Sequence, residues 1–322
     1  MPVNVYDQAG NLTTLSRVLR DNYLRPFLKS LDNDTFMLRF FPRKSHDEAF
    51  IRWKVKYEGN DGVEWYDEHD PFGQAGRQSY ENAVLPIKMV RILAEWSGLA
   101  EAATKGQGSY VNVKTDELEG AMDDLRDAIN DRIIAFRPDL DPVTEGKMIC
   151  RMAEIIDDQG VYAGIDRANT PWWRSVVLNN NPAGEPRPLG VGLMQQMHAA
   201  LQVPRRKAKI SAILTSQTHL DQYGDLADAR RRFIASDGKA ADIDLGVDTL
   251  KYKGITMYAV PNMDDGKMFF IDKRSWGTFM LVPFDTEELP KVRDASTFAI
   301  KSYLQLVCQA PYQQGVINDL DA

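Results

Sequence analysis

The sequence predicts an α+β fold for this 322-residue chain, and three observations carry that prediction. Apolar and basic residues alternate along a segment that leads into a long polar tip, as in a two-stranded ribbon. A one-sided, highly charged helix comes next. Beyond a linker rich in Asn and Pro lies an α/β unit, followed by closing strands.

The first periodic segment holds Leu15, Val18, Leu19, Tyr23, Phe27 and Leu31, spaced as on one helix face. Thr13 or Thr14 is placed to cap it, and Pro26 kinks or restarts it. It precedes any obvious core and reads as an arm lying on neighbouring chains. Residues 36–41 read as a strand. Residues 50–57 alternate apolar and basic, Phe50 aside, which suits a ribbon with one wet face. Residues 58–77 turn to Gly, Asp, Glu and Gln, cannot bury themselves, and read as a projecting loop. Residues 83–96 return as the second strand. Such a ribbon is poorly stable alone, and a single subunit promises it nothing to lie upon. That is a first sign of assembly.

Residues 115–137 form the strongest predicted helix. Thr115 suits the N-cap, and Asp116, Glu117 and Glu119 complement the helix dipole. Leu118, Met122, Leu125, Ile129, Ile133 and Phe136 fall on one stripe, Arg132 and Arg137 come late, and Pro138 stops the helix. Residues 147–160 suit helix or strand, with helix favoured. In residues 164–177, GIDRANTPWWRSVV, two adjacent tryptophans cannot share one strand face. At least one must pack against another layer or another subunit. The linker 179–188 is the best internal boundary. After it come a helix at 190–203, a buried strand at 209–216 and a helix at 218–233. Strands on either side of an Asp264-Asp265-Gly266 turn follow, and 299–317 again has strand patterning.

Chemistry is hard to find. The net charge is −7, so a role coating nucleic acid with basic side chains is disfavoured. Cys150 and Cys308 read as two buried thiols of a reducing compartment. The N-terminus has no signal pattern, no segment approaches the roughly 18 apolar residues of a membrane helix, and the chain is expected to fold in a cytoplasm. Gly190-Val191-Gly192 lacks the third glycine of a nucleotide fingerprint, and no phosphate loop or nucleophile elbow exists. His46, His69, His198 and His219 are not at metal-binding spacing. Asp123 and Asp124 suit the solvated face of the long helix, so no catalytic, cofactor or metal site is expected. Arg205, Arg206, Lys207 and Lys209 read as complements to a helix C-terminus. Arg230, Arg231 and Arg232 suit that role or pairing with a neighbour's acidic loops equally. The candidate inter-subunit contacts are Tyr23, Trp53, Trp65, Tyr66, Trp172, Trp173 and Arg174, with Arg230, Arg231 and Arg232.

In this order of parts the chain resembles the major capsid proteins of tailed phages, the HK97-like fold, along nearly its whole length. The resemblance is carried by LRDNYLRPFLKSLDNDTFMLRFF near the start and AVLPIKMVRILAEWSG in the returning strand. It is carried also by GIDR followed by PWWR, by ILTSQ, by LKYKGI, and by LVCQAPYQQGV near the end. Related chains often have an Asn-Arg pair where this one has Gln309 and Ala310. The resemblance implies an N-terminal arm (1–45) and an extended E-loop with flanking strands (46–97). It implies a peripheral domain (98–187) with a spine helix (115–137), an inserted axial α/β domain (188–284), and a return to the peripheral domain (285–322). It further implies hexamers and pentamers in an icosahedral virion capsid around double-stranded DNA, with a portal and possible scaffold and decoration proteins. The chain starts directly at the arm, so a scaffold is expected as a separate protein or as a removed segment. Lys54 and Lys56 lie on the expected loop, but ribbon lysines are commonplace and no crosslink is predicted. An encapsulin-like nanocompartment shell shares the fold, and a carboxylate-dependent hydrolase is the alternative of another class.

Overall fold

A computed structural model describes residues 36–71, 73–99, 113–134, 146–179, 185–204, 206–231, 250–260, 262–291 and 293–321. The expected arm helix with Tyr23, the stop at Pro138, Arg205 and Arg232 lie outside these residues.

Residues 36–41 do not form the expected strand. They form a short helix, α1 (Phe36–Phe40), because their aromatic rings find partners at helical spacing. Phe36 stacks on Phe40, Phe40 meets Tyr258 edge-on, and Phe41 stacks on the wholly buried Trp276 at 4.7 Å. A short strand, β1 (Arg43–Ser45), follows. The ribbon is as expected in its first half. In β2 (Phe50–Glu58), Ile51 and Val55 are buried while Arg52, Lys54 and Lys56 are exposed. Its partner β3 (Ser79–Pro86) sets Ile51 opposite Leu85 and Trp53 opposite Ala83. The single return strand expected at 83–96 is in fact two, because β3 ends at Pro86, which cannot donate to a ladder. Beyond it β4 (Lys88–Ser97) leaves the ribbon for another sheet.

The long helix, α2 (Val113–Ile134), starts ahead of Thr115, which therefore lies inside it and is not its cap. Leu118, Met122, Leu125, Ile129 and Ile133 are all buried, and α2 packs on β4 and α1. In 147–160, where helix was favoured, only α3 (Met152–Ile155) is helical. The preceding backbone is held extended by side chains from elsewhere. Gln305 accepts from the Cys150 N–H at 3.0 Å, and Arg132 donates to the Ile149 carbonyl at 2.9 Å.

Next come a small hairpin, β5 (Val161–Tyr162) and β6 (Ile165–Asp166), a 3-10 turn at Pro171–Trp173, and β7 (Val176–Leu178). Ala163 and Gly164 join β5 to β6 with positive φ at both, the geometry a tight two-residue hairpin requires. The α/β segment gives α4 (Val191–Leu201), β8 (Ala212–Thr215), α5 (Gln217–Arg231), β9 (Lys251–Tyr252), β10 (Ile255–Ala259) and β11 (Met268–Ile271). The chain closes with β12 (Trp276–Glu288), β13 (Ala295–Cys308) and β14 (Gly315–Ile317).

These strands build two larger sheets. One is four-stranded in the order β1-β12-β13-β4, and the other six-stranded in the order β7-β14-β11-β8-β10-β9. The strand expected across 299–317 is divided between them, broken by a 3-10 turn at Pro311–Gln313. In the six-stranded sheet β8 and β11 are buried at every residue, and α4 lies over β14. Gly315 makes that approach possible, since a Cβ there would sit 2.5 Å from the Met197 sulfur.

The chain crosses between the sheets at 272–275 and again at 309–314, and the two crossings are bonded to each other. Gln314 accepts from the Asp272 N–H at 2.9 Å and donates to Ser275 Oγ at 2.8 Å, while the Gln309 N–H donates to the Ser275 carbonyl. The buried Asp272 carboxylate accepts from the backbone N–H groups of Lys209 and Arg274 and from the Arg274 guanidinium. Burial alone would raise its pKa. The Arg274 side chain and the two backbone donors outweigh burial and hold it below the usual carboxylate value. A depressed folded-state pKa stabilises the fold above the unfolded carboxyl value of about 3.9, and that stabilisation is lost as pH falls through the folded value. Asp272→Asn is therefore expected to lower stability at pH 7 and to flatten its decline below about pH 4. Urea unfolding of the unassembled subunit across pH measures both, and an unchanged acid limb would refute the assignment.

Candidate inter-subunit surfaces

The ribbon has two unlike halves. Its base lies on its own chain, a support that the sequence alone does not promise. Trp53 donates from Nε1 to the Gln309 carbonyl at 3.1 Å, and the Val84 N–H donates to Ala163 at 2.9 Å. Tyr57 stacks on Trp172 with ring centres 4.9 Å apart. The tip beyond Glu58 is different. Val63 is 78% exposed, Trp65 98% and Tyr66 78%, among Asp61, Glu64, Asp67, Glu68 and Asp70. Two large aromatic rings left in water on an acidic loop are the clearest uncovered apolar surface among the described residues.

The tryptophan pair separates as the sequence required. Trp172 faces the ribbon, whereas Trp173 is wholly enclosed by its own chain and donates to the Tyr162 carbonyl at 3.2 Å. Trp173 therefore has no surface to offer a neighbour, which corrects its expected role. Arg174 is half-buried and keeps a partly exposed face while it donates to the carbonyls of Arg167 at 2.6 Å and Ala168 at 2.7 Å. The side chains of Arg230 and Arg231, at the end of α5, are outside the described residues.

Sequence reasoning missed the purpose of three arginines. Arg167, 1% exposed, donates to the carbonyls of Glu154, Ile155 and Gln159 and lies over the Tyr162 ring. Arg206, expected to complement a helix end, donates instead to the carbonyls of Arg174 and Tyr312. Arg187 donates to Leu178 and Asn318. Five guanidinium N–H groups can hold several carbonyls of an irregular segment at once, and here they tie the 154–175 loops to the sheet crossing. Burial lowers the pKa of both Arg167 and Arg206. Arg167→Met would leave three carbonyls without their donor, at about 1–3 kcal/mol for each that stays dry. Its unassembled subunit should melt several degrees lower, a difference that calorimetry would detect. Wild-type melting would show the clamp to be dispensable.

Two further polar sites serve the fold. His219, fully buried, faces Gln222 through Nδ1 at 3.0 Å and the Asp265 carbonyl through Nε2, linking α5 to the turn at 264–266. Asp123 and Asp127 are exposed and pair with Arg126. Burial pushes the Cys308 thiol up to about 12 and the Cys150 thiol up to about 11. At pH 8 the thiolate of Cys150 is then on the order of one part in a thousand. Native subunits should react slowly with a thiol reagent at pH 8 and release two equivalents only on denaturation, and rapid native labelling would contradict the burial. No group of three metal-ligating side chains occurs among the described residues, and no described helix is long and apolar enough to cross a membrane.

The chain has the HK97-like fold of phage capsid shells. It is similar to the capsid of cyanophage A-1(L), at 17% identity and a TM-score of 0.69, over 89% of this chain and 93% of that one. The capsid of a native GTA particle matches at 12% identity and 0.59, over 88% and 89%. The holo-SrpI encapsulin complex from Synechococcus elongatus matches at 9% identity and 0.54, over 89% and 88%. At these identities the likeness is one of fold. No family model matches the sequence, and no curated protein matches it.

Proposed function

We propose that this chain is the major capsid protein of a tailed phage, a wall-forming subunit with no catalytic role. It self-assembles into hexamers and pentamers of an icosahedral virion shell around double-stranded DNA. The observation that carries this reading is the acidic, aromatic tip of the ribbon, where Trp65 and Tyr66 stand largely in water. On a shell subunit such surface is covered by a neighbour, as obligate interfaces are large and hydrophobic. In this reading 46–97 is the E-loop with its flanking strands, α2 is the spine helix of a peripheral domain spanning 98–187 and 285–322, and 188–284 is the axial domain. Tyr23, Trp53, Trp65, Tyr66, Trp172, Arg174, Arg230, Arg231 and Arg232 are the candidate contacts. The net charge of −7 suits a lumen along which DNA slides without sticking. Portal, scaffold and decoration proteins are the expected partners, and assembly takes place in the host cytoplasm.

An encapsulin-like shell is the second reading, favoured by the fold likeness to the Synechococcus complex. The two differ in contents. Purified protein should form closed icosahedral particles by electron microscopy, and native particles should contain double-stranded DNA. Trp65→Ser with Tyr66→Ser should cut particle yield at least tenfold, with subunit stability changed by no more than about 0.5 kcal/mol. A chain that stays monomeric at high concentration would overturn both shell readings, and particles filled with a cargo enzyme would select the second.

A further inference from the structure

The four-stranded sheet ends in β4, and among the described residues the ladder of β4 is made with β13 alone. A strand at a sheet edge is a template for further pairing, and proteins manage such edges with bulges, prolines, charged side chains or a covering element. Here β4 has no proline, and its ladder with β13 runs from Lys88 to Ser97 without a register shift. Its outward-facing side chains are also open: Met89 is 73% exposed and Leu93 52%, with Arg91 and Glu95 exposed between and beyond them. The edge is long, straight and partly apolar.

The order of those side chains indicates the partner. Arg91 and Glu95 stand symmetrically on either side of Leu93 on one sheet face. We infer that β4 pairs antiparallel with β4 of a second copy about a two-fold axis at Leu93. In that register Arg91 faces the partner's Glu95 and Glu95 faces the partner's Arg91, with the two leucines between them. Directly opposed unlike charges and apolar residues are favourable cross-strand pairs. Sliding the strands further sets Arg91 against Arg91 or Glu95 against Glu95. A slip of one residue turns the row to the other face. The surface is self-complementary, as a two-fold interface requires. The two four-stranded sheets then become one continuous sheet, with each copy's α2 beneath its own half. Glu95 already meets Arg293 of its own chain, a solvent-exposed pair that a facing strand can share or displace. The inference deepens the shell reading and rests on it for the two-fold axes that a closed icosahedral shell supplies.

A charge swap tests this directly. Arg91→Glu alone and Glu95→Arg alone each place like charges across the axis twice. Either should raise the protein concentration needed for assembly at least tenfold. The double variant R91E/E95R restores both ion pairs in reversed order and should assemble as the wild type does. Arg293→Ala serves as the control for the in-chain pair and should assemble normally, with melting of each unassembled subunit confirming the fold. Single variants that assemble like the wild type would overturn the pairing, as would a double variant as defective as either single. If the wild type makes no particles, the shell reading fails. Sedimentation of the same four proteins then reads the pairing as a dimer that the singles lose and the double regains, and a uniform result overturns it.

Discussion

The structure depends on the double crossing between its two sheets. A chain that passes from one sheet to another must turn where neither ladder satisfies its backbone, and it must do so in the interior. At 272–275 and 309–314 the required partners are supplied locally, by Asp272, Ser275 and Gln314. Each side chain bonds the backbone of the other crossing or its own. Asp272, Ser275 and Gln314 are themselves buried, so a donor or acceptor left unmade among them would carry its desolvation cost. Because β11 leads into the first crossing and β14 leaves the second, the same bonds fix how the two sheets join.

The arginine clamps extend that constraint outward. Arg206 holds Arg174 and Tyr312 by their carbonyls, Arg174 holds Arg167 and Ala168, and Arg167 holds the end of α3 and Gln159. These bonds run from a cation to neutral dipoles. Such a bond does not vanish when a carboxylate protonates, whereas the Asp272 network does weaken in acid. Arginine is suited to this work, because its planar fork reaches several carbonyls from one rigid group and is weakly hydrated. The irregular stretch from 154 to 175 is thereby made stiff enough to carry Trp173 into the core and to present Trp172 to the ribbon.

Much of this fold was legible in the sequence where one face of an element sets the pattern. The stripe of α2, the alternation of β2 and the buried run of β8 are read from spacing alone, and turn residues mark 264–266, although β10 and β11 on either side of it pair with β8 and not with each other. Misreadings fell where long-range contacts decide. Residues 36–41 have too few positions to show a period, and ring partners at Tyr258 and Trp276 choose helix. Residues 147–151 are extended because Gln305 and Arg132, distant in sequence, take up their backbone bonds. The clamps were invisible for a similar reason: an arginine bound to carbonyls leaves no acidic partner in the sequence to announce it. Trp173 was misjudged because adjacency reveals that two rings part, and does not reveal which one goes inside.

The two sides of the β13 strand differ in the regularity of their ladders. Against β12 its ladder shifts register between Met280 and Val282 and again between Val282 and Asp285. Bulges of this kind bend and twist a strand and make its flank a poor template for further pairing. Against β4 the ladder is unbroken, so the opposite edge of the sheet keeps a regular row of backbone groups. The sheet is thus distorted between β12 and β13 and regular between β13 and β4, its last strand among the described residues. If stability of the lone subunit were the only demand, the reverse would serve better, because a regular free edge invites association. On the proposed shell reading, a subunit that works in an array has reason to keep that edge straight, and to hold its irregular bonds inside, where Asp272 and the arginines satisfy them.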